Sequence, residues 1–254
     1  MVKRTILGIF AHPDDESMGP GATFAKYAAV GHRVAFVTAT DGGAGRLYAE
    51  RPSDNADLRA LRRKETLRAA KTLGVEFLGF MGWDDGNLEK VSVLDIETEI
   101  VKVIRKENPD VVVTFHASGI SYHPDHRVIA LALKGAFMGS GRFGWYGNSD
   151  VDKLAPHQPS KLYYYTIMRS LIDRVDWPRE IYASSDDEVT TVIDTRDTAD
   201  VKWRAIQDHQ TQSNGPPFEL LYDSGFFERE AFVRVFPTWN PGNIRETDLL
   251  EGLP

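Results

Sequence analysis

The sequence predicts an α/β fold, a single three-layer domain in which a mostly parallel sheet lies between two layers of helices. Three observations carry that expectation. Short runs rich in β-branched and aromatic residues alternate, over the first half of the chain, with longer segments of helical pattern, which implies successive βαβ units. The run Val111 to Phe115 is almost uniformly apolar, as a strand covered on both faces must be. The 254 residues, 42% hydrophobic and 26% charged, have the composition of an ordinary globular chain with material for one sizeable core, so one domain spanning residues 1–254 is expected.

Taken in order, Thr5 to Ala11 reads as a strand, Gly21 to Val30 as a helix, Arg33 to Thr38 as a strand and Asp57 to Leu73 as a long helix. A short strand from Glu76 to Phe80 follows, then a helix from Leu94 to Glu107 and the strand Val111 to Phe115. The next helix, Pro124 to Phe137, opens with a proline at the first helical position, where its missing N–H leaves no bond unmade. Gly139 to Ser160 mixes Gly and Pro with Phe143, Trp145 and Tyr146 and reads as a long surface excursion, either a lid or a connection. Lys161 to Met168 and Val189 to Ile193 read as strands, and Thr198 to Gln210 as a helix with Asp197 or Asp200 near its cap. There is no internal repeat and no low-complexity segment.

Charge and composition remove several function classes. A net charge of -7 with a pI near 5.5 and no long Lys/Arg run argues against nucleic acid as the main partner. With no cysteine, disulfides and thiolate metal sites are excluded, so any bound metal must be held by nitrogen and oxygen. The apolar run Ile6 to Ala11 is too short for a secretory signal, and nothing approaches the roughly 20 apolar residues of a membrane span. No membrane partner is expected, a cytoplasmic location is the default, and a homo-oligomer is among the arrangements the sequence allows.

Two clusters carry chemistry. Ala11-His12-Pro13-Asp14-Asp15-Glu16 lies at the carboxyl end of the first strand, where open α/β sheets place their ligands. His12 and Asp15 both suit zinc, and three adjacent acidic residues beside a histidine create a field that a divalent cation relieves. His123-Pro124-Asp125-His126 follows the strand Val111 to Phe115 through a loop and should emerge at the same sheet edge. One of its two histidines then completes a set of two histidines and one carboxylate, leaving a position open as catalytic zinc sites do. Iron(II) or another divalent metal also suits such a site. Gly19 and Gly21 make no dinucleotide fingerprint, because Phe24 stands at the third glycine position.

Ala11 to Glu16 and His123 to His126 resemble the paired signatures of the LmbE-like, or PIG-L, zinc deacetylase family. The resemblance runs over nearly the whole chain, through Thr40-Asp41-Gly42 with Gly45, Arg62-Arg63-Lys64-Glu65, Leu73-Gly74-Val75 and Asp84-Asp85-Gly86. It continues in His209-Gln210-Thr211-Gln212, Arg229-Glu230-Ala231-Phe232 and Thr247-Asp248-Leu249. It implies a Rossmann-like fold and hydrolysis of an N-acyl group, usually acetyl from a glucosamine unit. By position it implies His12, Asp15 and His126 as zinc ligands and Asp14 as general base toward the attacking water. His123 would then stabilise the oxyanion or protonate the leaving amine, its ring oriented by Asp125.

For substrate recognition Arg62 is the first candidate, since a guanidinium offers several fixed donors to hydroxyl oxygens, and its loss is expected to raise KM more than it lowers kcat. Arg63 is the runner-up, and Asp85 is expected either to bind substrate or to shape the turn at Gly86. The chain departs from the family pattern at Gly43, where Glu is common, and in the loop His116 to Tyr122, where His116 is expected as a hydrogen-bonding strand-end residue before an extra group near the metal, and Tyr122 as packing before a pocket or oxyanion role. His209 is expected either to approach the pocket or to end its helix. The readings in competition are an N-acyl hydrolase acting on an N-acylated sugar, an amidase acting on a conjugate or a non-sugar amide, and a non-catalytic metal-binding protein of the same fold.

Overall fold

The structure is a computed structural model that describes residues 2–45, 55–147, 150–178, 180–212, 216–240 and 244–253. Five parallel strands form its centre: β1 (Thr5–Phe10), β2 (Arg33–Thr40), β3 (Glu76–Trp83), β4 (Val111–Phe115) and β5 (Lys161–Thr166). Two more, β6 (Thr191–Asp194) and β7 (Arg229–Phe236), complete a seven-stranded sheet in the order β3-β2-β1-β4-β5-β7-β6. β7 runs antiparallel to both of its neighbours, so the sheet is mostly parallel as expected. The chain leaves β1 for β2 on one side and returns to β4 on the other, so the order reverses between β1 and β4. Both signature loops follow these two strands, in the crevice where such sheets bind ligands.

The helices are α1 (Asp15–Met18), α2 (Gly21–Ala29), α3 (Asn55–Leu73), α4 (Val93–Glu107), α5 (Pro124–Ser140), α6 (Arg169–Ile172), α7 (Ala199–Asp208) and α8 (Pro216–Asp223). α2, α3 and α7 pack together as one layer, where Ala25, Ala69, Leu73 and Ala205 meet, and α4 packs on α5 as the other. β1 and β4 are buried almost end to end, which is why their sequences read as apolar runs rather than as alternation. α4 ends at Asn108, which takes the left-handed conformation and returns its N–H to the Ile104 carbonyl at 2.9 Å.

Observed boundaries fall within about three residues of the expected ones, and the structure adds to the reading at three places. α7 starts after Thr198, with Asp197 just before that cap and Asp200 in the first turn as expected, and the Thr198 hydroxyl bonds the Ala22 carbonyl at 2.8 Å instead of capping its own helix. β7 has no counterpart in the sequence reading. Of the two readings of Gly139 to Ser160, the described residues favour a connection: they lie against the α4–α5 layer and none of them lines the cavity described below. Buried Arg105 pins it by donating to the carbonyls of Ser140, Val151 and Arg142, and residues 148–149 of the excursion lie outside the described residues.

The C-terminal third holds the start of the chain in place. Glu230 on β7 accepts the N–H groups of Ala22 and Thr23 at 3.1 and 2.7 Å, setting a carboxylate at the positive end of α2. Lys202 on α7 binds both Glu230, at 2.6 Å, and the carbonyl of Gly19. His209 at the end of α7 meets Glu16 at 2.7 Å, with both side chains fully buried.

Candidate metal centre and active-site cavity

His12 and Asp15 leave β1 in a tight loop whose geometry the chain itself secures. Oδ2 of Asp15 accepts the backbone N–H groups of Ala11 and His12 at 3.1 and 2.7 Å, turning its other oxygen outward. Between them Asp14 sits at φ 103°, a left-handed conformation that a non-glycine residue keeps only when its surroundings over-determine it. Those surroundings are visible. Glu16 accepts the Asp14 N–H at 3.2 Å, and the buried Arg62 donates to the carbonyls of Pro13 and Gly42 while lying 3.4 Å from the Asp14 carboxylate. Gly42, at φ 76°, has no Cβ to collide with that guanidinium.

The second loop brings His123 and His126 to the same place. Pro124 occupies the first turn of α5, as expected, and Nδ1 of His123 accepts the Asp125 N–H at 3.2 Å, so His123 is the cap of the helix. Asp125 does not orient the His123 ring through its carboxylate, which corrects the sequence reading. That carboxylate accepts the N–H groups of Gly86 and Leu88 at 2.8 and 3.1 Å and lies 3.1 Å from Nε2 of His12. Asp85 approaches the same nitrogen at 3.0 Å.

These contacts decide which ring nitrogen of each histidine is left for a metal. A carbonyl only accepts, so Nδ1 of His126, 3.0 Å from the Gly119 oxygen, holds the hydrogen and Nε2 presents a lone pair. Two carboxylates at Nε2 of His12 likewise leave its Nδ1 with the lone pair. Those two nitrogens face each other at 3.2 Å, and Oδ1 of Asp15 lies 3.3 Å from the His126 nitrogen. Asp15 also approaches the His12 nitrogen, at 3.7 Å through Oδ2. Three lone-pair donors so close repel unless a cation sits among them, and tetrahedral zinc with bonds near 2.0–2.1 Å requires donor separations of about 3.3 Å. The donor set fits. Ring nitrogens of all three histidines lie within 4.8 Å of one another, which makes His123 the competing third ligand, and His12 forms a second such group with Asp85 and Asp125.

The electrostatics agree. Burial opposes charge on His12, yet Asp125, Asp85 and Asp15 raise its pKa to about 10, so this pocket of negative potential attracts a proton or a metal to that ring. Burial also opposes the Asp15 carboxylate, but His126 and His12 hold it well below the usual carboxylate range. Asp14 is pushed up to about 6, chiefly by burial, with Arg62 pulling the other way. Burial together with the neighbouring His12 and His126 holds His123 below the ordinary imidazole value.

A cavity of about 570 Å³ opens over this group, within the size range of small-molecule sites. Its lining joins polar side chains, among them His12, Asp14, Arg62, Asp85, His123 and His126, to apolar ones, among them Ile172, Trp177, Phe218, Leu221, Phe226 and Phe227. Arg62 and Asp85, expected as hydrogen-bond partners of a sugar, do face the cavity. Yet Arg62 is only 3% exposed and Asp85 binds His12 and the Ala44 N–H, so both direct their polar atoms chiefly at the chain itself. Arg63 instead pairs with Asp41 at 3.0 Å. His116 stacks on Tyr182 with ring centres 4.4 Å apart and bonds Ser118, while Tyr122 is 47% exposed; neither lines the cavity. The apolar lining and the buried Glu16–His209 pair are features the sequence reading missed.

Comparison with known proteins places these features in context. A family model described as PIG-L, GlcNAc-PI de-N-acetylase, matches residues 7–137. The 1D-myo-inositol 2-acetamido-2-deoxy-alpha-D-glucopyranoside deacetylase of Thermomonospora curvata is 32% identical, covering 99% of this chain and 97% of its own. Its counterpart from Streptomyces griseus is 33% identical over 99% of this chain and 89% of its own. Among solved structures, the N,N'-diacetylchitobiose deacetylase of Pyrococcus horikoshii in complex with an inhibitor superposes with a TM-score of 0.73 at 25% identity, covering 91% of this chain and 84% of its own.

Proposed function

The chain belongs to the PIG-L, or GlcNAc-PI de-N-acetylase, family, and on that premise we propose that it is a zinc-dependent deacetylase acting on a glucosamine-containing small molecule. The observation that carries this reading is the convergence of Nδ1 of His12, Nε2 of His126 and Oδ1 of Asp15 beside a carboxylate, Asp14, that is not part of the donor set. The names of the relatives supply the reaction class, removal of an acetyl group from an N-acetylglucosamine unit.

His12, Asp15 and His126 would hold the ion, with Asp125 and Asp85 fixing the His12 ring from behind. Zinc bound there supplies a Lewis acid for the amide carbonyl and lowers the pKa of water. Asp14 accepts the proton of the attacking water on its carboxylate, and a pKa raised to about 6 leaves it able to hand that proton on to the departing nitrogen. His123 is held neutral and its Nδ1 is taken by the Asp125 N–H, so its Nε2–H is the donor toward the oxyanion. Water oxygen bonds to the acyl carbon, the C–N bond breaks, and acetate and a free amine leave. Arg62 acts as a positioning residue that sets Asp14 and the Pro13 and Gly42 carbonyls.

Acetate release by the zinc-loaded protein tests the reading. The panel is the inositol glycoside of N-acetylglucosamine, N,N'-diacetylchitobiose and N-acetyl amides that lack a sugar. Release from the sugar amides is the expected result. Turnover confined to the non-sugar amides would make the protein an amidase of another substrate class, and no turnover with a full zinc complement would remove the enzymatic reading.

A further inference from the structure

The turn after α7 is aimed at the loop of Asp14. His209 is fully buried and does not line the cavity, yet it reaches Glu16 across 193 residues of chain. A carboxylate only accepts, so Nε2 of His209 donates to Oε1 of Glu16 at 2.7 Å, and the Ser17 hydroxyl donates to the same oxygen at 2.7 Å. The other oxygen, Oε2, accepts the N–H of Asp14 at 3.2 Å. Ser17 belongs to the same loop as Glu16, so His209 is the anchor that comes from elsewhere in the fold. Two residues on, Thr211 ties the same turn to α3, where its N–H and hydroxyl donate to Glu65 at 2.9 and 2.6 Å. Glu65 stands three residues beyond Arg62 on that helix.

Neighbouring residues of this loop have different tasks. Asp15 faces the other metal donors, while Asp14, at φ 103°, lies beside Arg62 and lines the cavity. A left-handed backbone costs a non-glycine residue free energy, so it persists only where the surroundings hold it. The peptide between Pro13 and Asp14 is gripped at both ends, its oxygen by Arg62 and its N–H by Glu16. Rotation of that peptide is what would return Asp14 to a negative φ and swing its carboxylate away. We propose that His209 is a positioning residue for the general base: through Glu16 it keeps the Pro13–Asp14 peptide in the orientation that holds the Asp14 carboxylate at the cavity. This rests on the reading of Asp14 as the base and gives the segment His209 to Gln212 a part in the reaction.

The experiment measures kcat, KM and zinc content for His209→Leu and His209→Gln, each in the unaltered chain and in Asp14→Asn, with the inositol glycoside of N-acetylglucosamine as substrate. Amide exchange at residue 14, followed by NMR in the same zinc-loaded proteins, reads the peptide independently of turnover. Leucine removes the donor, so kcat is expected to fall on the order of 10²-fold, as for a base displaced by about 1 Å, with KM and zinc content near those of the unaltered protein. Glutamine places an amide N–H close to the position of Nε2 and should restore most of the rate and the protection of the Asp14 amide. In Asp14→Asn no base is left to place, so His209→Leu should change kcat there by less than about twofold. An equal fall in both backgrounds marks a merely structural role and overturns the proposal. Unchanged rate and protection in His209→Leu, beside an inactive Asp14→Asn, overturn it and leave the base reading standing. Near-normal turnover in Asp14→Asn removes the base reading and the proposal with it. If His209→Leu does not fold, Glu16→Met combined with His209→Leu removes the buried charge together with its partner and carries the same comparison. If no protein turns over the glycoside, the Asp14 amide decides: protection lost with leucine and kept with glutamine supports the hold on the peptide, and unchanged protection overturns it.

Discussion

The carboxylate of Asp125 lies 3.1 Å from Nε2 of His12, across 113 residues of chain, and it is held there by the N–H groups of Gly86 and Leu88. The contact fixes which nitrogen of His12 is left for a metal. Asp125→Asn is therefore expected to weaken zinc binding by about 10- to 100-fold, the usual effect of losing a carboxylate behind a ligating histidine. His12→Ala, Asp15→Ala and His126→Ala should lose the metal outright, while His123→Ala keeps it. Elemental analysis of the purified variants decides the set, and zinc lost from His123→Ala but retained in His126→Ala would exchange the roles of the two histidines.

Asp14→Asn keeps the size of the side chain and removes its ability to take a proton. Zinc content should stay at the level of the unaltered protein while kcat falls by about 10²- to 10⁴-fold. Single-turnover rates measured beside metal content test this, and near-normal turnover would exclude Asp14 as the base.

Arg62→Ala is expected to lower kcat more than it raises KM, the reverse of what the sequence suggested. The guanidinium is buried on the chain's own carbonyls and beside Asp14, so its loss displaces the base, and a displacement of about 1 Å costs on the order of 10²-fold in rate. Arg62→Lys should recover little, because an ammonium cannot reproduce the fork. A KM effect alone would return Arg62 to the substrate.

Stability in acid should depend on Glu246. Burial works to raise this carboxyl, but Lys161, Tyr163 and Thr191 hold it below its ordinary value of 4.5. A depressed carboxyl contributes stability above pH 4.5 and loses it as pH falls through the folded-state value. Glu246→Gln leaves Lys161 without its buried counter-charge, and is expected to cost roughly 3 kcal/mol at neutral pH. Its denaturation midpoint should change less than that of the unaltered protein below pH 4.5. Parallel curves for the two proteins across that range would refute the assignment.

How much of this was legible follows from where each partner lies. β1 and β4 read clearly because burial on both faces demands apolar residues at every position. β7 did not, because Arg229–Phe236 interleaves charged residues with apolar ones, and one of them, Glu230, is buried for the sake of amides 208 residues upstream. The two signature loops were found from composition and strand position alone. The role of Asp125 was not: adjacency suggested His123, but at the second residue of α5 the carboxylate points away from the cap toward Gly86 and Leu88. The apolar part of the cavity lining comes from a four-residue helix, loops and a short helix, none long enough to show a period.

The grip of Lys202, His209 and Glu230 on the loop after β1 bears on how this protein can be re-engineered. The family model matches residues 7–137, which invites treating that stretch as a catalytic cassette and the remainder as an exchangeable specificity module. The same downstream stretch that carries Phe218 and Phe226 also closes over Glu16, Gly19 and the first amides of α2. A chimera that grafts another protein's downstream segment onto this one at residue 137 would replace the partners of a buried glutamate and of the start of a helix next to the metal donors. The cavity wall is therefore better altered by replacing side chains within it than by transplanting the segment.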